Sequence, residues 1–192
     1  MRNHILALFI IMLAACSCGT QKAATGARSP KVQTSFFGAY LGESRTFVER
    51  KIERDHALFS TKTRNELTMY NVSFAGCEWP YVYLDFVESN PHVYGRNAQQ
   101  FSRIGFVFNS KDKQKASQRF DDIYQLLNEK YPLVSLNDPQ YEKRFAYTDS
   151  LGNIVALVLM HSSEEPDTWL CMFMYSWGKA RAVEMEKARK DI

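Results

Sequence analysis

The sequence predicts an α+β domain, an antiparallel sheet with helices on one face. Three observations carry that reading. Residues 112–130 place Ala116, Phe120, Ile123, Tyr124 and Leu127, with Tyr131 just beyond, on one side of a helix that Pro132 stops. Runs rich in β-branched and aromatic residues lie at about 66–75, 80–88 and 101–109 before that helix, and at about 141–148, 153–160 and 168–177 after it. A second, shorter helical pattern precedes the first three runs. The order of helix then three strands therefore occurs twice, which suggests a duplicated unit.

In chain order, Arg2 and His4 open a basic stretch and residues 5–15 form an unbroken apolar run. That run is too short for the ~20 apolar residues of a spanning helix, and it ends in the small residues Ala14 and Ala15, as a cleavable export signal does. Residues 17–34 are small and polar, without periodicity, and read as a flexible tether with a reach on the order of 20 to 25 Å. The folded domain is expected over 35–192, after a signal peptide at 1–15 and a lipidated tether at 16–34. An extended piece at 36–40 precedes a helix capped by Ser44 and running to Asp55, with Phe47, Val48 and Ile52 as its buried stripe. Between the strands expected at 141–148 and 153–160, Asp149-Ser150-Leu151-Gly152-Asn153 is a good turn sequence. A charged helix over 179–192 ends the chain, with Glu184 to Lys187 and Glu186 to Lys190 at pairing distance and Trp177, Ala180 and Val183 as its thin apolar side.

The tetrapeptide Leu13-Ala14-Ala15-Cys16 resembles the lipobox of bacterial lipoproteins. That resemblance implies cleavage before Cys16, a diacylglycerol on its thiol and usually a further acyl chain on the new amino terminus. Several chains anchor stably where one binds reversibly. In some enteric bacteria an aspartate after the cysteine retains such proteins in the inner membrane. Ser17 in that place implies the outer membrane.

A second resemblance rests on Phe37-Gly38-Ala39-Tyr40-Leu41-Gly42-Glu43-Ser44, with Val48 four residues on. This segment is similar to the lead-in to the first helix of small envelope modules of the β-lactamase-inhibitor-protein type, and related outer-membrane assembly lipoproteins share the opening. The resemblance implies helices on one face of an antiparallel sheet and a role in binding other proteins. The Gly-x-Pro that often closes that helix is missing after Ile52, and no functional residue is carried over.

Charge excludes one class of partner. The chain has 24 Lys+Arg against 21 Asp+Glu, and loss of Arg2 with the signal leaves a net charge of about +2, too small for a field that draws nucleic acid. Catalytic signatures are missing as well: there is no Gly-x-Ser-x-Gly elbow and no His-Glu-x-x-His. His56, His92 and His161 are scattered, with only Asp55 and Glu164-Glu165 nearby, so no metal or cofactor is expected. Asp121 and Asp122 are adjacent on a helix and point apart, and Glu164-Glu165-Pro166-Asp167 reads as a loop.

Two features remain as candidate sites. Cys77 and Cys171 form an even pair in an exported chain, either as a disulfide or as free thiols packed as small hydrophobes, while Cys18 falls in the tether. In the strand at 80–88, Val82, Leu84 and Phe86 suit the core, leaving Trp79, Tyr81 and Tyr83 on the other side; in the last strand Leu170, Met172 and Met174 alternate with Trp169, Phe173, Tyr175 and Trp177. Both sides of the sheet are then apolar, and the second needs a cover: the terminal helix, a second copy, or a partner. The reading this favours is a membrane-tethered, noncatalytic envelope module that binds a protein, peptide or glycan through Trp79, Tyr81, Tyr83, Trp169, Phe173 and Tyr175. A structural subunit of an outer-membrane complex and an unrecognised hydrolase are the alternatives.

Overall fold

The computed structural model describes residues 29–55, 59, 61–88 and 98–180. The expected signal at 1–15, the expected tether as far as residue 28, His56, His92 and the tail from 181 lie outside the described residues.

Strands β1 (Ser35–Phe36) and β2 (Ala39–Tyr40) form a small hairpin closed by Phe37 and Gly38, both at positive φ. A non-glycine residue is strained there. The Phe37 ring is held by its packing, 5.8 Å from Phe74 and 6.4 Å from Phe106 between centroids. Helix α1 (Arg45–Asp55) follows, with Val48 and Ile52 wholly buried, but the expected third member of its stripe, Phe47, is 48% exposed.

The main sheet contains β3 (Thr61–Lys62), β4 (Glu66–Phe74), β5 (Cys77–Glu88), β6 (Gln99–Ser110), β7 (Val134–Ser135), β8 (Lys143–Thr148), β9 (Ile154–His161) and β10 (Trp169–Ser176). Its order is β3-β4-β5-β6-β10-β9-β8-β7, antiparallel at every pairing. Helix α1 precedes the meander β4-β5-β6, and α2 (Lys113–Lys130) precedes the meander β8-β9-β10. The two meanders meet where β6 pairs with β10. The α+β architecture and the repeated helix-plus-three-strand order are thus those the sequence predicts.

Helix α2 starts where a cap allows it: the Asp112 carboxylate accepts from the amides of Gln114 (2.8 Å) and Lys115 (3.4 Å). It ends at Tyr131, which is extended as the residue before a proline must be. Ala116, Phe120, Ile123 and Leu127 are buried on its sheet side, against a core that includes Leu157, Phe106 and Phe173.

The folded part begins earlier than expected. Val32 is buried in the core, its amide donating to Asp149 Oδ2 (3.0 Å), and the Tyr147 hydroxyl donates to the Pro30 carbonyl (2.9 Å). These partners lie 117 residues away, so no local pattern in 29–34 reveals them.

Two features break simple alternation. In β4 the core side passes from Leu67 and Met69 to Val72 and Phe74, and in β5 from Leu84 and Val82 to Trp79. Both steps of three residues fall opposite one another, at Asn71, which has φ 54, and Pro80. Farther along, Asp85 pairs with Arg103 but Phe86 with Phe101, so Ser102 is an extra residue in β6, its hydroxyl donating to the Asp85 carbonyl (3.0 Å).

Candidate binding face

The sheet has two apolar sides, as expected, but the side chains are distributed differently. The face away from the helices carries Ile154, Ala156, Val158 and Met160 of β9, Met172 and Met174 of β10 and Ala146 of β8, all buried. Tyr83, Val107 and Leu170 are partly buried against them. Among the described residues Leu136 and Tyr141, from the segment between β7 and β8, are the side chains of this cluster that come from outside the strands. Arg144 fixes that segment, with its Nη1 2.6 Å from Asp138 Oδ2 and its guanidinium 5.3 Å from the Tyr141 ring.

Across this face, register forms a continuous row of Tyr70, Tyr81, Val107, Met172, Val158 and Arg144. Exposure falls along it, from 45% at Tyr70 and 38% at Tyr81 to 4% at Met172 and 0% at Val158. The two tyrosines meet edge to face, with centroids 5.1 Å apart. In the next row Tyr83 faces Gly105, and its ring fills the space a side chain there would need: a Cβ on Gly105 would lie 2.1 Å from Tyr83 Cζ. Burial pushes the Tyr83 hydroxyl well above the ordinary phenol range, with the Arg103 charge acting the other way. Beyond it Arg103 Nε stands 3.0 Å from Asp85 Oδ2.

Of the six residues expected to share this face, Tyr81 and Tyr83 are on it. Trp79, Phe173 and Tyr175 are buried on the helix side, where Trp79 lies 4.8 Å from Phe173 and beneath the Arg119 guanidinium at 5.4 Å. Trp169 also packs against the helix-side core, with Lys113 Nζ 4.5 Å from its ring and His161 beside it at 3.7 Å. The local step at Asn71 and Pro80 turns Trp79 inward. In β10 the rings face the helices and the methionines face away. Tyr70, which strand-by-strand reasoning missed, had a signal: Leu67 and Met69 as core residues put it on the opposite side.

The cysteine pair takes the second of its two expected alternatives. Cys77 and Cys171 are both free thiols, and β6 lies between their strands. Strands two apart in a sheet are about 9.5 Å from each other, beyond the span of a disulfide. Burial pushes the Cys171 thiol up to about 12 despite the nearby Arg119 charge.

No three His, Cys, Asp or Glu side chains among the described residues are grouped to hold a metal ion. His161 is exposed, its Nδ1 3.1 Å from the Pro166 carbonyl, and the adjacent Asp121 and Asp122 take separate partners, Lys143 (3.1 Å) and Gln118 (2.8 Å). Glu164 and Glu165 sit in the exposed loop after β9, their amides bound to the Ser162 hydroxyl. In comparisons with known proteins no family model matches this chain, and no curated protein or solved structure matches it either. The face itself offers rings with polar edges and a buried ion pair, groups suited to contact and hydrogen bonding.

Proposed function

We propose that this protein is a lipoprotein of the cell envelope, held to the outer membrane by lipid on Cys16, that acts as a noncatalytic binding module. It takes an envelope protein, peptide or glycan on the tyrosine half of the sheet face turned from the helices. The observation that carries this reading is the Tyr70–Tyr81 pair, two large rings 45% and 38% exposed at the margin of a face whose centre is buried. Exposed cross-strand pairs add only about 0.2–1 kcal/mol to a sheet, so folding gives little reason for two such rings there. Tyrosine offers a partner a rigid apolar surface and a hydroxyl edge at small rotamer cost.

The test is crosslinking in intact cells from a photoreactive residue beside the pair, at Thr68, followed by identification of what is captured. Tyr70→Ala with Tyr81→Ala should abolish that capture. Undiminished capture by the double variant would overturn the assignment of the face.

A further inference from the structure

We propose that the end of the domain carrying the 149–153 turn is a membrane-facing surface, seated on anionic lipid headgroups with Leu151 at the interface. The inference rests on the lipid-anchor reading of Cys16 and goes beyond it, because an anchor alone leaves the domain free to tumble.

The point where the chain joins the fold selects this end. Pro30 is held by the Tyr147 hydroxyl, the Val32 amide by Asp149 Oδ2, and the Gln33 amide donates to the Tyr131 hydroxyl (3.1 Å), so Ser29 leaves the domain beside the turn. Twelve residues lie between Cys16 and Ser29. On the tether reading a chain of that length has a reach of about 20 Å, which would hold this end of the domain near the bilayer.

The turn is built so that Leu151 cannot fold inward. Asp149 Oδ1 accepts from the amides of Leu151 (2.8 Å) and Asn153 (2.9 Å), while Asn153 Oδ1 accepts from the Gly178 amide (2.9 Å). Gly178 lies so close that a Cβ on it would stand 2.5 Å from the Leu151 carbonyl oxygen. With its backbone gripped on both sides, Leu151 projects outward at 64% exposure, the highest of any large hydrophobic side chain among the described residues.

Charge completes the surface. Lys31 adjoins the Val32 contact, Lys179 follows Gly178, and Lys130 reaches Gln33 Oε1 at 3.5 Å; all three lysines are exposed. Asp149, the acidic residue of the turn, is buried and engaged by amides; among the described residues, Glu129 beside Lys130 is exposed, and Glu88, where β5 ends on this side of the sheet, is ion-paired with Arg64 (2.7 Å). Three ammonium groups and one leucine hold a free protein only weakly on a membrane. A tether makes the contact intramolecular at a high effective concentration, so weak attraction suffices to orient the domain. The strands then stand away from the bilayer. Val158 lies four residues along β9 from Ile154, so the row containing Tyr70 and Tyr81 sits about 13 Å beyond the contacting end and opens sideways.

The test uses the full lipidated chain with Cys18→Ser and Cys77→Ser, carrying an environment-sensitive dye at either Leu151→Cys or Ser163→Cys. Ser163 is exposed in the loop after β9, at the opposite end of the sheet. Protein is bound to vesicles of phosphatidylcholine with phosphatidylserine, with or without brominated acyl chains. The expected result is flotation of both, with brominated lipid quenching the dye at 151 several-fold and leaving the dye at 163 unchanged. Lys31→Glu with Lys179→Glu, or vesicles of phosphatidylcholine alone, should remove the quenching without preventing flotation. Floating protein whose dye at 151 is unaffected overturns the surface, and quenching that survives both changes overturns its anionic character. Protein that does not float overturns the anchor reading, and this inference with it.

Discussion

Tyr83 lies across Gly105, its ring in the space that a side chain at 105 would occupy. The two residues pair in neighbouring strands, and the glycine is what lets a ring lie flat on the sheet there. Gly105→Ala should therefore lift Tyr83 out of place and cost about 1–3 kcal/mol, the usual penalty of overpacking. Urea unfolding measures it. An unchanged midpoint would show that the ring moves aside freely.

Trp79 and the Tyr70–Tyr81 pair separate core from surface. Trp79→Ala should cost about 3–5 kcal/mol, because the ring is wholly buried and its Nε1 donates to the Phe74 carbonyl at 3.0 Å. Tyr70→Ala with Tyr81→Ala should cost at most about 1 kcal/mol. Melting curves of the three proteins give the comparison, and similar losses would mean that the exposed pair is structural.

The Cys171 thiol supplies a pH signature. The Cys171 thiol has an ordinary value of 9.0 and is pushed up to about 12 by burial. Its contribution to stability is complete below pH 9, where folded and unfolded chains both hold the proton. Between about pH 9 and 12 the unfolded chain loses the proton first, so stability falls as pH rises. Cys171→Ala should flatten that fall relative to the native chain. Thiol counts in denaturant, equal with and without reductant, should show Cys77 and Cys171 unbonded.

Cys16→Ser tests the address. The variant should be exported yet fail to incorporate labelled palmitate and leave the membrane fraction, since the thiol proposed to carry the lipid is gone. Continued membrane retention without label would contradict the anchor.

Much of the architecture was legible because it rests on local signals. Helix α2 was readable from Asp112, its apolar stripe and Pro132, and the β8–β9 connection from a run of turn-forming residues. The candidate binding face was legible only in part: Tyr81 could be placed by alternation from Val82 and Leu84, whereas Trp79 could not, because a matched step at Asn71 and Pro80 in two strands reverses the sides. Such a step depends on pairing between strands.

The sequence by itself determined which segments become helix or strand, their repeated order and the apolar character of both sides of the sheet, since periodicity, caps and turns act within a few residues. Only the tertiary structure decided which side of β10 meets the helices, that Cys77 and Cys171 are kept apart by β6, and that Val32 belongs to the core. Those outcomes depend on strand order and on contacts such as Val32 with Asp149, 117 residues apart, where packing between distant segments selects among arrangements that local patterns leave equal.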